Sequence, residues 1–315
     1  MRILLTGRTG FVGGFLHKKL VDEGHEVFSL VRHVAGRYNY MPDEPNLIFG
    51  ELRDFARIKE IMNDLQPEII INLAAMTAVS LSFQNPIDFW ETTASGTINL
   101  AECARSNVKL KMFIHASTSE IYGSQHIFPL KEEYPYNPTS PYAVAKVADE
   151  YYLHMMHAVY GFPFVIIRPF NTYGRMGIKH YVVERAITTL LEKGEVKLWN
   201  PASVRDFLYV DDHANGYLAA IKNAKVGETY NICTGRGISI KEMVDIVCKE
   251  VQEQFGIEPK VNWHLPEDRP YEIKVLVGDN SKAKLQLDWA PKITLEEGLK
   301  RTVAAWGEVL GVKKK

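Results

Sequence analysis

Cysteine is scarce in this chain: Cys103, Cys233 and Cys248 are the only three in 315 residues. An odd, widely spaced set builds no disulfide framework and suits a reducing compartment, so these thiols read as packing residues. No apolar run approaches the ~20 residues of a membrane span. Met1 leads directly into "RILLTG" without the basic and apolar segments of a signal peptide, and the expectation is a cytoplasmic protein with no membrane partner. Charge of one sign is lacking too. With Lys+Arg 37 against Asp+Glu 38 the formal net charge is −1, which provides no broad field for nucleic acid, so an anionic ligand must be met locally. His154 and His157 have no carboxylate or cysteine set to complete a metal site, and none is expected. Internal repeats, low-complexity tracts and long linkers are likewise missing.

What is present is 46% apolar sequence, enough for one large domain or two intimately joined ones. Short apolar runs alternate with helix-length segments: "RILLTG", 11–24, "EVFSLV", 55–65, "EIIINLA", 87–107, "KMFIHAS", 142–160 and "PFVIIRPF". This repetition predicts an α/β fold, a doubly wound, Rossmann-like parallel sheet covered on both faces. Gly24 and Gly161 stand where helices should stop. After residue 170, turn-rich charged stretches separate helices at 182–193 and 239–254 around "RDFLYVDDHANGYLAAI". They predict a smaller interleaved C-terminal α/β lobe that shares a cleft with the sheet.

The first strand-to-helix junction, "LLTGRTGFVGGFL", supplies Gly7, Gly10 and Gly13, with Thr9, Phe11 and Val12 in the same loop. Glycines there permit a tight turn and close backbone approach to a pyrophosphate, whose charge is stabilised by the helix N-terminus. The expected division is residues 1–169 and 207–236 for dinucleotide binding, with 170–206 and 237–315 forming the substrate lobe. The second strand ends in Val31 and Arg32 rather than in an acid for the ribose hydroxyls. That favours a 2′-phosphate, hence NADP with NAD as the alternative, and Arg8 is a second candidate to meet it. In "SPYAVAK", Tyr142 and Lys146 are four apart at a helix start and project from one face. An ammonium near the phenol lowers its pKa from about 10, making Tyr142 a base for a sugar hydroxyl. "FIHASTSEIYG" ends an apolar strand in Thr118, Ser119 and Glu120, where open α/β sheets keep their ligand crevice.

The ordered set "TGRTGFVG", "NLAAMT", "STSEIYG", "SPYAVAK", "RPFNTYG", "RDFLYVDD" and "DRPYEIKVLVGDNSKAKLQLDWAPK" resembles the extended short-chain dehydrogenase/reductase family, in its nucleotide-sugar epimerase/dehydratase branch. The resemblance covers nearly the whole chain. It implies a nucleotide-diphosphate sugar as substrate and a homodimer or homotetramer paired through the helices at 87–107 and 142–160. By the same resemblance Thr118, Glu120, Tyr142 and Lys146 are catalytic, and Glu51, Leu52, Leu73, Ala74, Ala75 and Thr77 follow the cofactor. Ser119, Asn171, Lys179, Arg205 and Arg269 are the implied substrate contacts, the arginines for the diphosphate. Epimerases of the branch need only the hydroxyl, the tyrosine and the lysine. A 4,6-dehydratase also needs a carboxyl group to move protons at carbons 5 and 6, and Glu120 stands in that place. "STSE" and "RPYEIKVLVGD" are similar to GDP-mannose 4,6-dehydratases, implying GDP-mannose and internal hydride transfer. The shorter loop "RHVAGRYNY" and Glu51 in place of the more usual Asp depart from that pattern. An NADPH-dependent 4-keto-sugar reductase, a 4-epimerase or a decarboxylase therefore stay open, as does a non-catalytic NADP-sensing protein.

Overall fold

Strands that are apolar at every position must be covered on both faces. In the computed structural model they are: Ile3, Leu4, Leu5, Ile69, Ile70 and Ile71 are each buried to 2% exposure or less. The structure describes residues 1–32, 46–174, 178–264 and 272–315. In chain order the first half contains β1 (Arg2–Thr6), α1 (Phe11–Asp22), β2 (Glu26–Val31), β3 (Leu47–Phe49), α2 (Phe55–Leu65), β4 (Ile69–Asn72), α3 (Val79–Ser82), α4 (Pro86–Trp90), α5 (Gly96–Ala104), β5 (Met112–Ala116), α6 (Pro141–Tyr160) and β6 (Phe164–Pro169). There follow β7 (Asn171–Tyr173), α7 (Val182–Lys193), β8 (Glu195–Trp199), β9 (Val204–Arg205), β10 (Phe207–Tyr209), α8 (Val210–Asn223) and β11 (Glu228–Ile232). The remainder is β12 (Ile238–Ser239), α9 (Ile240–Phe255), β13 (Lys260–His264), β14 (Val275–Leu276), α10 (Ser281–Leu287) and α11 (Leu295–Val309).

Seven strands form one parallel sheet in the order β11-β6-β5-β4-β1-β2-β3. The chain winds outward from β1 in both directions, so the topological switch point, and with it the ligand crevice, lies at the carboxyl ends of β1 and β4. Register brings Thr6 beside Asn72 and Asn72 beside His115, a polar row in an otherwise apolar layer. The smaller sheets, β10-β7, β12-β9-β14 and β13-β8, pack with α7, α9 and α11 around Ile187, Leu190, Met243, Val247, Leu299 and Trp306. The expected helices at 55–65 and 182–193 form with those bounds. The one expected at 87–107 does not run unbroken: α4 passes through a π turn, Glu91–Ser95, before α5. Such a turn inserts an extra residue, and it buries Thr92, Thr93 and Ala94.

Two buried polar fastenings matter for the site. Arg168 on β6 grips Glu150 on α6 (Nη2–Oε2 2.5 Å, Nε–Oε1 3.0 Å) and donates to the hydroxyls of Tyr122 and Tyr136. At the corner between β9 and β10, Asp206 accepts from Thr234 N (2.8 Å), Thr234 Oγ1 (2.6 Å) and Gly235 N (2.9 Å), tying the smaller sheets to the end of β11. Asp212, in the first turn of α8, accepts from the amides of Lys292 and Ile293. The rings of His154 and His157 each make a T-shaped contact with Phe164. The three cysteines are free thiols. Among the described residues no helix is long and apolar enough to cross a membrane, and no cluster of three metal-ligating side chains occurs.

Candidate active site

A cleft of about 730 Å³ opens at the carboxyl ends of the central strands. Its first half is the glycine loop. Gly7 adopts φ +72°, and a Cβ there would lie 2.8 Å from the Leu73 carbonyl carbon; one on Gly13 would run into the Gly7 carbonyl oxygen. Only glycine fits this approach of loop, helix and β4. The N-cap of α1 is Gly10, with no capping side chain and no acid in the first turn, which suits a helix N-terminus facing a diphosphate. Thr9, Phe11, Val12, Leu52, Leu73, Ala74, Ala75 and Thr77 line the same wall, while Gly13 is packed behind it. At the far rim Arg32 is exposed and its Nη1 stands 3.5 Å from Glu51 Oε2, with Arg53 on the same carboxylate at 3.6 Å. Arg8 is buried and does not line the cleft. These residues fit a dinucleotide.

The second half is the tip of β5. Thr118 is extended (φ −160°, ψ 153°) and caps a single 3₁₀ turn, Ser119–Tyr122, accepting from Glu120 N at 3.2 Å. That turn aims Glu120 into the cleft rather than along the strand. The start of α6 is fixed by Pro141 in its first turn and by the Ser140 hydroxyl accepting from Ala143 N at 3.1 Å. Tyr142, 6% exposed, therefore meets Thr118, and the two hydroxyls share a hydrogen bond. Burial raises the Glu120 carboxyl's pKa, opposed by Arg205 and reinforced by Glu272. A carboxyl group whose proton is held more tightly than usual is suited both to take and to return one.

The expected net lowering of the Tyr142 pKa is not found: the shift is upward. Burial pushes the phenol up, the Thr118 hydrogen bond opposes this, and the charges of Glu120 and Asp149 add to the rise. Lys146 does reach the cleft, but its Nζ donates to the Ala116 carbonyl (2.7 Å) and lies 3.5 Å from Asp149. The ammonium is claimed from below.

Ser119 and Asn171 line the cleft as expected, and Asn171 Oδ1 is buried without a hydrogen-bond partner. Arg205 lies outside the lining; its side chain is 14% exposed and stands 3.4 Å from Glu272. Lys179 is exposed, outside the lining, and bonded to Glu192 at 2.5 Å. Arg269 lies outside the described residues. The sequence reading missed Tyr181, whose hydroxyl meets Thr77 at 3.0 Å across the cleft mouth, and the Tyr217 hydroxyl, buried without a partner in the cleft floor. No local pattern marks either residue, because each is brought to the cleft by the packing of segments far apart in sequence.

A family model described as GDP-mannose 4,6 dehydratase matches residues 4–302. The chain belongs to the nucleotide-sugar epimerase/dehydratase family. It is 31% identical to a UDP-glucose 4-epimerase of Mycolicibacterium smegmatis, over 96% of this chain and 97% of that one. Among solved structures it is similar to the UDP-glucose 4-epimerase of Thermotoga maritima bound to UDP-glucose (TM-score 0.91, 29% identity, 98% and 100% of the two chains). It is also similar to DesIV, a dTDP-glucose 4,6-dehydratase of Streptomyces venezuelae solved with NAD (TM-score 0.87, 27% identity, 98% and 97%). Membership makes the chain an enzyme of this family, whose seven-stranded sheet it shares.

Proposed function

We propose that the chain is a nucleotide-sugar 4,6-dehydratase, with GDP-mannose the first substrate to test and NADP the first cofactor. The observation that carries this reading is Glu120: a carboxyl group in the cleft, on the turn that also presents Thr118 to Tyr142. Epimerisation at carbon 4 gives such a group no proton to move. Dehydration does.

Gly7, Gly10, Phe11 and Val12 would hold the diphosphate of the dinucleotide, and Arg32 a 2′-phosphate. When bound in its oxidised form, the dinucleotide supplies a hydride acceptor and a positive ring charge. Tyr142 takes the hydroxyl proton at carbon 4, with Thr118 orienting the sugar oxygen and Lys146 contributing positive charge beside the phenol. The ketone so formed acidifies carbon 5. Glu120 removes that proton and delivers it to the hydroxyl leaving carbon 6 as water; the carbon 5–carbon 6 double bond left behind would take back at carbon 6 the hydride given up by carbon 4, and carbon 5 is reprotonated. Asn171, with its buried, unpartnered oxygen, is the substrate contact best supported, and Arg205 would need to leave Glu272 to meet a diphosphate.

A 4-epimerase is the second reading, favoured by the two 4-epimerases among the similar proteins described above. The deciding experiment incubates the protein with GDP-mannose, dTDP-glucose, UDP-glucose and UDP-glucuronate and a catalytic amount of NADP⁺ or NAD⁺. Loss of one water from the product mass supports dehydration. An isomer of unchanged mass supports the epimerase, and stoichiometric consumption of NADPH with a keto-sugar marks a reductase.

A further inference from the structure

Beneath Lys146 the cleft wall holds a carboxylate that a Tyr-Lys pair does not require. Asp149, less than one helical turn further along α6, is fully buried; its Oδ2 lies 3.5 Å from Lys146 Nζ and 3.2 Å from His115 Nε2. Both groups lie close enough to Oδ2 for charge and a hydrogen bond to act together. A carboxylate this dry persists only beside a cation.

The surrounding row decides which neighbour that cation is. Thr6 Oγ1 accepts from Ala74 N (3.0 Å) and donates to Asn72 Oδ1 (2.7 Å). The Asn72 amide nitrogen is left facing Thr97 Oγ1 (3.1 Å) and His115 Nδ1 (3.3 Å). An amide nitrogen only donates, so His115 Nδ1 accepts and the ring carries a single proton on Nε2, directed at Asp149. Burial and the charge of Lys146 both disfavour a second proton on that ring. Lys146 is the cation.

We propose that Asp149 is a positioning residue, its carboxylate aimed by His115 to keep Lys146 an ammonium within a dry wall and to set from beneath how much of that charge reaches Tyr142. This rests on the reading of Tyr142 as the base. The titratable groups around Lys146 are Tyr142, Asp149 and Glu150 on its own helix, His115 on β5 and Glu120 on the turn beyond it, with Arg168 of β6 neutralising Glu150. Burial is the larger influence and brings the Lys146 pKa below its ordinary value, and Asp149 is the leading influence in the other direction.

Acetic anhydride labelling of the ligand-free protein, followed at Lys146 by mass spectrometry across pH, reads the neutral amine directly. Asp149→Asn is expected to speed labelling near neutral pH at least tenfold, the equivalent of one pKa unit. Asp149→Glu, which disturbs packing more but keeps the charge, is expected to label slowly. Equal rates in wild type and Asp149→Asn would overturn the proposal, as would an Asp149→Glu that labels as fast as Asp149→Asn. If Asp149→Asn does not fold, the wild type alone decides: a Lys146 half-deprotonated below about pH 8 refutes it. In turnover, Asp149→Asn should move the alkaline limb of kcat down by the same interval, which a merely structural role would leave in place. Should no sugar nucleotide be turned over, the base role of Tyr142 falls while the labelling curve still decides the pairing.

Discussion

Replacing Asp206 by Asn removes a charge from the corner that joins β9 to β10 while keeping the side chain's shape. Burial raises the pKa of this carboxyl from 3.8 to about 6, against the pull of the Thr234, Gly235 and Gly278 amides and the Thr234 hydroxyl. A carboxyl group that binds its proton more tightly in the native chain than in the unfolded one stabilises the fold fully below pH 3.8. That contribution shrinks as pH rises and is lost above about 6. The whole effect is about 3 kcal/mol, of which about 1.5 kcal/mol falls between roughly pH 5 and pH 8. Asn cannot ionise, so the variant lacks this slope, although one of its amide faces meets N–H donors and lowers its stability by a constant amount. Urea unfolding of both proteins, read by the fluorescence of buried Trp289 and Trp306, should show the wild type losing about 1.5 kcal/mol relative to Asp206→Asn over that interval. Parallel curves would refute the reasoning. A wild type that gains on the variant would show that the donors outweigh burial.

Glu120→Gln is expected to retain sugar-nucleotide binding and to lower 4,6-dehydration by about 10²–10⁴-fold; normal dehydrated product from that variant, measured by mass spectrometry, would refute the acid/base role. Arg32→Ala should weaken NADP about 10–100-fold with little change for NAD, as loss of a charge-assisted contact predicts, and calorimetric titration of both cofactors checks it. Ile87, Tyr151 and Val159 are 68%, 61% and 62% exposed on the helices expected to pair. Because such side chains are seldom left bare together, Tyr151→Asp with Val159→Asp should halve the mass seen by light scattering, and an unchanged mass would exclude this face.

The sheet was legible because β1, β4, β5 and β6 are apolar on both faces, a pattern that parallel strands alone require. The glycine loop was legible for a backbone reason, since Gly7 and Gly13 sit where a Cβ would meet main chain. Glu120, Thr118 and Tyr142 line the cleft where the motifs placed them, because each sits at one strand tip or one helix start. Contacts made over long sequence separation left no such trace. Tyr181 reaches Thr77 over 104 positions, and Arg205 is held by Glu272 over 67. Lys146 shows the limit most sharply: it lines the cleft with Tyr142, four residues away, but Asp149, three residues on, lies against it beside His115, the last of the row Thr6, Asn72 and His115 contributed by three separate strands.

The grip of Arg168 on Glu150 has a consequence for any survey of variants. Removing one member of so dry an ion pair strands the other and lowers stability by about 3–5 kcal/mol, enough to unfold an ordinary domain by itself. Because the same helix carries Tyr142, an Arg168 variant and a Tyr142 variant would both score as dead in a screen of turnover. Only soluble yield or a melting curve separates them: the first loses the scaffold, and the second keeps it and loses the chemistry.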